Sequence, residues 1–151
     1  MTLEEKLKVK RITKTALLPE KNNPSDAGFD VFSDEEIEVS DNVCLISTGV
    51  AIEIPEGYYG RLKGRSGLTA KTNLRVHEGT IDSGYRGEVK VMVQAYGGYS
   101  VEQGDKIAQL IIQPLPDIEV LEVDELSDTD RGSKGFGSSG IKKEIREVTN
   151  G

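Results

Sequence analysis

An all-β domain, built as a sandwich or a barrel, is what this sequence predicts. Three observations carry that expectation. Val- and Ile-rich runs of strand length recur along the chain, 17 glycines and five prolines punctuate them, and only one short stretch permits a helical turn.

Taken in order, Leu7 to Ile12 alternates apolar and cationic residues and reads as a first strand with one wet face. KNNPSDAG, Lys21 to Gly28, is a turn-rich loop, and Phe29 to Phe32 is a short apolar strand. Ile37 to Val39 and Val43 to Ile54 follow as strands. Pro55-Glu56-Gly57 ends the second of these, because proline presets φ and glycine accepts positive φ. Tyr58 to Lys63 is the next strand, and GRSGLTAK, Gly64 to Lys71, holds the permitted helical turn. Leu74 to His77 and the alternating run Glu88 to Val93 flank GTIDSGYRGE, Gly79 to Glu88, which reads as a hairpin or tight corner. Gly104-Asp105 makes a turn, Ile107 to Ile112 a buried strand and Ile118 to Val123 a final alternating strand. From Ser127 to Gly151 the chain is polar and glycine-rich, and its single aromatic, Phe136, cannot anchor a core. This arm is expected to dock on another surface. No repeat and no second domain is visible.

The length of 151 residues suits one domain with a core of ordinary size. Hydrophobic residues at 36% and charged residues at 30% describe a soluble globular chain. No apolar run approaches the roughly 20 residues that span a bilayer, so no membrane partner is expected. The N-terminal MTLEEKLKVKRIT is charged and lacks the apolar segment of a signal peptide. Cys44 is the only cysteine, which excludes an intramolecular disulfide and points to a reducing, cytoplasmic location. A net charge of -7 speaks against a broad basic face for nucleic acid. Positive charge is instead concentrated in loops, where Arg65, Arg86 and Arg131 each sit beside a glycine. One histidine and one cysteine cannot build a usual zinc site, and His77 reads as a polar hairpin residue.

Five short constellations carry chemistry. In GTIDSGYRGE, Asp82 and Tyr85 lie three residues apart among Gly79, Gly84 and Gly87. Such a corner can hold a carboxylate and a ring over one small volume; equally, it is an acidic turn with a packing tyrosine. DAGFD, Asp26 to Asp30, reads first as a structural turn. GRSGL, Gly64 to Leu68, joins a guanidinium, a hydroxyl and amides freed by glycine, a set that suits phosphate oxygens. GDKIAQL places Gln109 inside an apolar strand, where its amide must bond either backbone or ligand. RGSKGFGSSG joins Arg131, Lys134 and serine hydroxyls on a glycine-rich backbone, a phosphate cradle in chemical terms, with Phe136 as a face for base stacking. A plain Gly/Ser tail needs neither the Arg nor the Phe. The spacing is not that of GxxxxGK[ST], since Gly135 follows Lys134, and neither a GxSxG elbow nor a Cys/His pair is present.

In this order, from Asp26 to Gly140, the five segments resemble the five motifs of the homotrimeric deoxyuridine triphosphatases, the dUTPases. The resemblance implies a jelly-roll-like β-sandwich or barrel with a flexible C-terminal arm. It also implies a β core over residues 1–126, an arm over 127–140 that closes on a neighbouring site, and a disordered tail over 141–151. The implied assembly is a trimer with three shared sites, and the implied reaction is hydrolysis of dUTP to dUMP and pyrophosphate. That reaction limits uracil in DNA and supplies dUMP for dTMP synthesis. By motif matching, Asp82 is the general base that activates a water for in-line attack on the α-phosphate. Tyr85 packs under the deoxyribose and excludes a 2′-hydroxyl, while Gly79, Thr80 and Ile81 bond uracil through backbone groups. Arg65, Ser66, Gly67 and Gln109 correspond to phosphate-binding positions. Arg131 reaches the γ-phosphate, Gly137, Ser138 and Ser139 close the cradle, and Phe136 lies over the uracil. Asp30 orients Arg65 and the surrounding water, with Lys134 also in support. The implied cofactor is Mg2+, held by triphosphate oxygens and water rather than by protein ligands.

Three positions depart from the family pattern. Val76 stands where many relatives carry Asn, which removes a side-chain amide contact to uracil. Lys134 stands where glycine is common, and Gly64 replaces the usual proline before Arg65, loosening that turn. A deoxycytidine triphosphate deaminase shares the fold but needs a glutamate on the strand after the third motif, where Val89 to Val93 has none. Glu78 lies on the other side of the hairpin. A binding module without activity has no need of Asp82, Tyr85, Arg131 and Phe136 together.

Overall fold

Alternating apolar residues build two sheets that share one core. The computed structural model describes residues 5–137 and 140–143. They fall into two units, one ending at Asp117 and one beginning at Ile118. The elements of the first are β1 Lys8–Arg11, β2 Phe29–Phe32, β3 Ile37–Val39, β4 Cys44–Glu53, β5 Tyr58–Lys63, α1 Ser66–Lys71, β6 Arg75–His77, β7 Gly79–Ile81, β8 Glu88–Gln94, β9 Tyr99–Val101 and β10 Lys106–Pro114. The fold is all-β, and its strands begin and end within a residue or so of the turn signals in the sequence.

One antiparallel sheet runs β1-β4-β8-β6, the other β2-β10-β5-β7, and β3 with β9 forms a two-stranded ribbon. Ile46, Val50, Ile52, Val89, Val91 and Val93 of the first sheet meet Val31, Leu62, Ala108 and Leu110 of the second in one buried cluster, with Val39 and Val101 of the ribbon joining it. Burial of these side chains is the main favourable term in folding.

The connection Gly79 to Glu88 is more than a hairpin. β6 and β8 are antiparallel neighbours, with Arg75 opposite Gln94 and His77 opposite Met92. Between them the chain leaves their sheet after His77 and adds β7 to the other, with Gly79 opposite Leu62 and Ile81 opposite Gly60. It returns through Asp82 to Gly87. His77 Nε2 pairs with the Gln94 carboxamide across the β6-β8 ladder, the polar hairpin role expected of it.

β4 carries the sharpest local constraint. Its register with β8 jumps between Ser47 and Ala51, so β4 advances four residues while β8 advances two. Gly49 sits inside this bulge at φ +72, and a Cβ there would lie 2.6 Å from Asp34 Oδ2, 2.7 Å from Thr13 Oγ1 and 2.8 Å from Ala16 Cβ. The neighbouring Thr48 hydroxyl donates to Val89 O at 2.6 Å, and Gly49 N donates to Glu88 Oε2 at 3.0 Å.

The expected final strand, Ile118 to Val123, does not form. β10 ends at Pro114, and Pro116 follows, so two ring nitrogens without a donor interrupt any ladder there. Ile118, Val120, Leu121, Val123 and Leu126 all stand exposed. Alternation supplies a strand with a face but not with a neighbour, and a strand exists only when its backbone groups are paired.

Gly49→Ala should destabilise the protein by about 3 kcal/mol, the sum of left-handed backbone strain and overpacking. Urea unfolding should show a lower midpoint at an unchanged slope. An unaltered midpoint would mean that the bulge relaxes without cost.

Candidate active site

Asp82 is the first residue after β7, and the turn behind it is braced from several sides. Tyr85 N donates to Asp82 O at 3.1 Å, and Tyr85 Oη donates to Glu88 O at 2.9 Å. Arg86 Nη1 donates to Ser83 O at 2.6 Å and to Tyr85 O at 3.2 Å, while Nη2 lies 3.4 Å from Glu53 Oε1 on β4. Glu88 accepts the bulge amide of Gly49, so the corner is fastened to β4 through both Arg86 and Glu88. Gly87 makes the tyrosine's position possible: a Cβ there would lie 2.6 Å from Tyr85 Cζ and 3.0 Å from Cε2.

Gly79, Thr80, Ile81, Asp82 and Tyr85 line one cavity of about 310 Å³, with Leu45, Leu62, Val89 and Met92 among its apolar walls. Such a lining suits a flat ring recognised by a few polar groups. Among the described residues, Asp82 has no ion-pair partner.

A second cavity, about 290 Å³, gathers Asp26, Gly28, Asp30, Arg65, Ser66, Gly67 and Gln109. Arg65 is the extended residue that precedes α1, so its side chain and the open amides of the first helical turn share one end. Asp30 is only 8% exposed, and its two oxygens are divided between cations: Oδ1 lies 3.1 Å from Arg65 Nε and Oδ2 lies 3.4 Å from Lys106 Nζ. Gln109 Nε2 donates to Gly64 O at 2.9 Å. Its strand-borne amide thus bonds backbone, and the bond pins the turn that a glycine before Arg65 was expected to loosen. Val76 lines an adjoining depression with Lys63, Arg65 and Glu78, not the cavity of Thr80 and Asp82.

Lys106 was missed from the sequence. Its only signal was a cation straight after the Gly104-Asp105 turn, and strict alternation sends Lys106 and Gln109 to opposite faces of β10. The β10-β2 register shifts between Lys106 and Ala108, which changes that parity.

The C-terminal unit carries the remaining predicted residues. Arg131 Nε donates to Lys134 O at 2.7 Å, closing a turn in which Lys134 N donates to Arg131 O at 3.3 Å. Phe136 is fully exposed and has φ 48, a left-handed value that is unusual for a bulky residue. Gly137 follows it at φ 93. Ser138 and Ser139 lie outside the described residues, as do residues 144–151 of the expected tail.

Two carboxylates near the corner, Glu78 and Glu53, are held in ion pairs. The Arg61 guanidinium, 2.6 Å from Glu78, holds that carboxyl below its ordinary range by a hydrogen bond and by charge. Glu53 is lowered in the same way by Lys8 and then by Arg86. Burial, and then the charge of Glu35, push the Cys44 thiol up, away from the reactive thiolate.

Comparison with known proteins assigns the geometry to a family, since the dUTPase family model matches residues 14–140. The chain belongs to the dUTPase family. A deoxyuridine 5'-triphosphate nucleotidohydrolase of Alkaliphilus metalliredigens is 46% identical over 141 residues, covering 90% of this chain and 98% of that relative. One of Clostridium acetobutylicum is 44% identical over 142 residues, covering 91% and 98%. Among solved structures, a variant dUTPase of Staphylococcus bacteriophage 80alpha with dUpNHpp superposes with a TM-score of 0.85 at 36% identity, covering 90% of this chain and 99% of that one. A variant dUTPase from phage phi11 of S. aureus, whose structure reveals the coordination of a structural Mg(II) ion, has a TM-score of 0.76 at 34% identity, covering 80% and 97%.

In this dUTPase-family chain, Gly87→Ala should displace the Tyr85 ring while the protein stays folded. The aromatic NMR resonances of Tyr85 should move and those of Tyr58 and Tyr99 should not. Unmoved Tyr85 resonances would show that the missing Cβ is not what seats the ring.

Proposed function

We propose that this protein hydrolyses dUTP to dUMP and pyrophosphate, with Asp82 as the general base. The observation that carries the proposal is the placement of β7. It is the edge of its sheet, so one side of its backbone is unpaired, and it runs directly into Asp82 and Tyr85. The free amides and carbonyls of Gly79, Thr80 and Ile81 can pair with the polar edge of uracil, as a peptide pairs with a sheet edge. Recognition of this kind needs no side-chain amide at Val76.

Asp82 takes a proton from a water as that water attacks the α-phosphorus in line. A new P–O bond forms, the bond to the bridging oxygen breaks, and pyrophosphate departs. Among the described residues Asp82 has no cationic partner, which leaves its carboxylate open for that proton. A positioned base contributes about 10²–10⁴-fold. Tyr85, seated against Gly87, packs under the deoxyribose and leaves no room for a 2′-hydroxyl.

Arg65, Ser66, Gly67 and Gln109 bind the phosphates, with Asp30 holding Arg65 in place. Arg131 reaches the γ-phosphate, Lys134 adds charge, and Gly137, Ser138 and Ser139 complete the cradle. Phe136 covers the uracil. Its exposed ring and left-handed backbone, which costs about 1–2 kcal/mol, support an arm over 127–140 that orders on a surface it does not itself contain.

Two observations support a homotrimer with shared sites. Asp82 and Arg65 line separate cavities on one chain. The exposed apolar residues between Ile118 and Leu126 also suit burial against another copy. Magnesium fits a site in which the triphosphate provides the oxygens. Both oxygens of Asp30 are engaged by cations, and among the described residues no three His, Cys, Asp or Glu side chains gather to hold a metal. When bound, the ion neutralises phosphate charge. Among the described residues no helix is long and apolar enough to cross a membrane, and a cytoplasmic location accords with the single cysteine, which has no disulfide partner in the chain.

Pyrophosphate and ammonia should be followed separately with dUTP, dTTP, dCTP and UTP in the presence of magnesium. Pyrophosphate from dUTP alone is expected, and Asp82→Asn should lower its rate by about 10²–10⁴-fold while dUpNHpp still binds. Ammonia from dCTP would place the protein with the deaminases, and full turnover by Asp82→Asn would remove the base assignment. Truncation after Ser127 should leave a stable trimer by light scattering with kcat/KM reduced about 10- to 100-fold, the worth of a charged hydrogen bond. Loss of folding on truncation would show that the arm is part of the core.

A further inference from the structure

Lys106 and Gln109 are three residues apart on β10 and would face opposite ways on a regular strand. They do not, because Lys106 pairs with Phe32 while Ala108 pairs with Val31, so two residues of β10 advance for one of β2. The consecutive burial of Ile107 and Ala108 is the side-chain mark of this bulge. Past it, Gln109 lies opposite Asp30 on one side and Lys63 on the other. Lys106 thereby reaches the same polar patch, 3.4 Å from Asp30 Oδ2.

The charges give this contact a purpose. The nearest approach of Asp30 to Arg65 is from Oδ1 to Nε, at 3.1 Å. Arg65 and Asp30 by themselves form a neutral pair, whose pull on a polyanion is weaker than that of an unpaired guanidinium. A carboxylate with a free second oxygen can also grip a guanidinium through two nitrogens. Lys106 occupies that second oxygen. It returns these three groups to a net charge of plus one, and with Oδ2 occupied Asp30 is not drawn into a two-nitrogen grip on the Arg65 fork.

We propose that Lys106 is a positioning residue for the triphosphate: by holding Asp30 Oδ2, it keeps the Arg65 fork open toward phosphate. This rests on the assignment of the Arg65 cavity to the phosphates of dUTP. The substrate class is therefore the same, and what is new is the residue that tunes affinity for its anionic end.

The test is calorimetric and kinetic, on the full-length protein with dUpNHpp, deoxyuridine and dUTP. Lys106→Gln should bind dUpNHpp about fivefold more weakly, the range of one partly exposed ion pair. Deoxyuridine, which has no phosphate, should bind as before. KM for dUTP should rise with kcat nearly unchanged, the salt dependence of dUpNHpp binding should flatten, and Lys106→Arg should restore all three. Lys106→Met, which keeps the aliphatic stem, separates charge from packing and should behave as the Gln variant does. Undiminished dUpNHpp affinity in the Gln and Met variants would overturn the inference, as would equal losses for dUpNHpp and deoxyuridine or failure of Arg to restore binding. If the unsubstituted protein bound deoxyuridine but gained nothing from the phosphates, the assignment of the cavity itself would fall, a result distinct from a silent Lys106.

Discussion

The site depends on one fastening, the acceptance of the Gly49 amide by the Glu88 carboxylate at the β4 bulge. Glu88 closes the corner that begins at Asp82, and its carbonyl also receives the Tyr85 hydroxyl. A short loop between two sheets would ordinarily sample many shapes, at an entropic cost of about 1–2 kcal/mol for each residue held fixed. Here much of that ordering is done before any ligand arrives. The corner is hydrogen-bonded to itself through Arg86 and Tyr85, and it is tied to β4 by the Arg86–Glu53 ion pair and by the bond from Gly49 N to Glu88. Preorganisation of this kind lets a carboxylate act from a fixed position.

Electrostatics work locally against the global balance. The chain carries a net charge of -7, yet the cavity around Arg65 is chemically suited to an anion. Burying Asp30 between two cations reconciles these facts, because a nearly buried carboxylate is tolerated only when it is paired. Arg61 with Glu78 and Arg86 with Glu53 serve a different purpose. These pairs are exposed, contribute little to stability and chiefly set side-chain direction.

Most strands were legible because proline and glycine mark their ends and alternation marks their faces. Phe29–Phe32, Ile37–Val39 and Tyr58–Lys63 coincide with the expected spans. The three residues of β7 were not legible, since Gly-Thr-Ile is too short to show a period and owes its strand geometry to β5. The bulge at Ile107 was hidden for the opposite reason: an apolar run reads as regular whether or not one residue is extra. Ile118 to Val123 had a strand's pattern but no neighbour to pair with. The five motifs were visible in order, whereas the division of their residues between two cavities is a tertiary fact that spacing does not encode.

The unpaired stretch after Asp117 has a consequence for the newly made chain. Its apolar residues never run more than two together: Glu119, Glu122, Asp124 and Glu125 fall among Ile118, Val120, Leu121, Val123 and Leu126. A newly made copy therefore shows a sticky surface that is also dotted with like charge. Carboxylates in such positions are gatekeepers against amyloid-like stacking, in which identical segments would bring their charges into register. The prolines that keep this segment out of the sheet and the carboxylates that keep it soluble are thus separate devices in one short stretch.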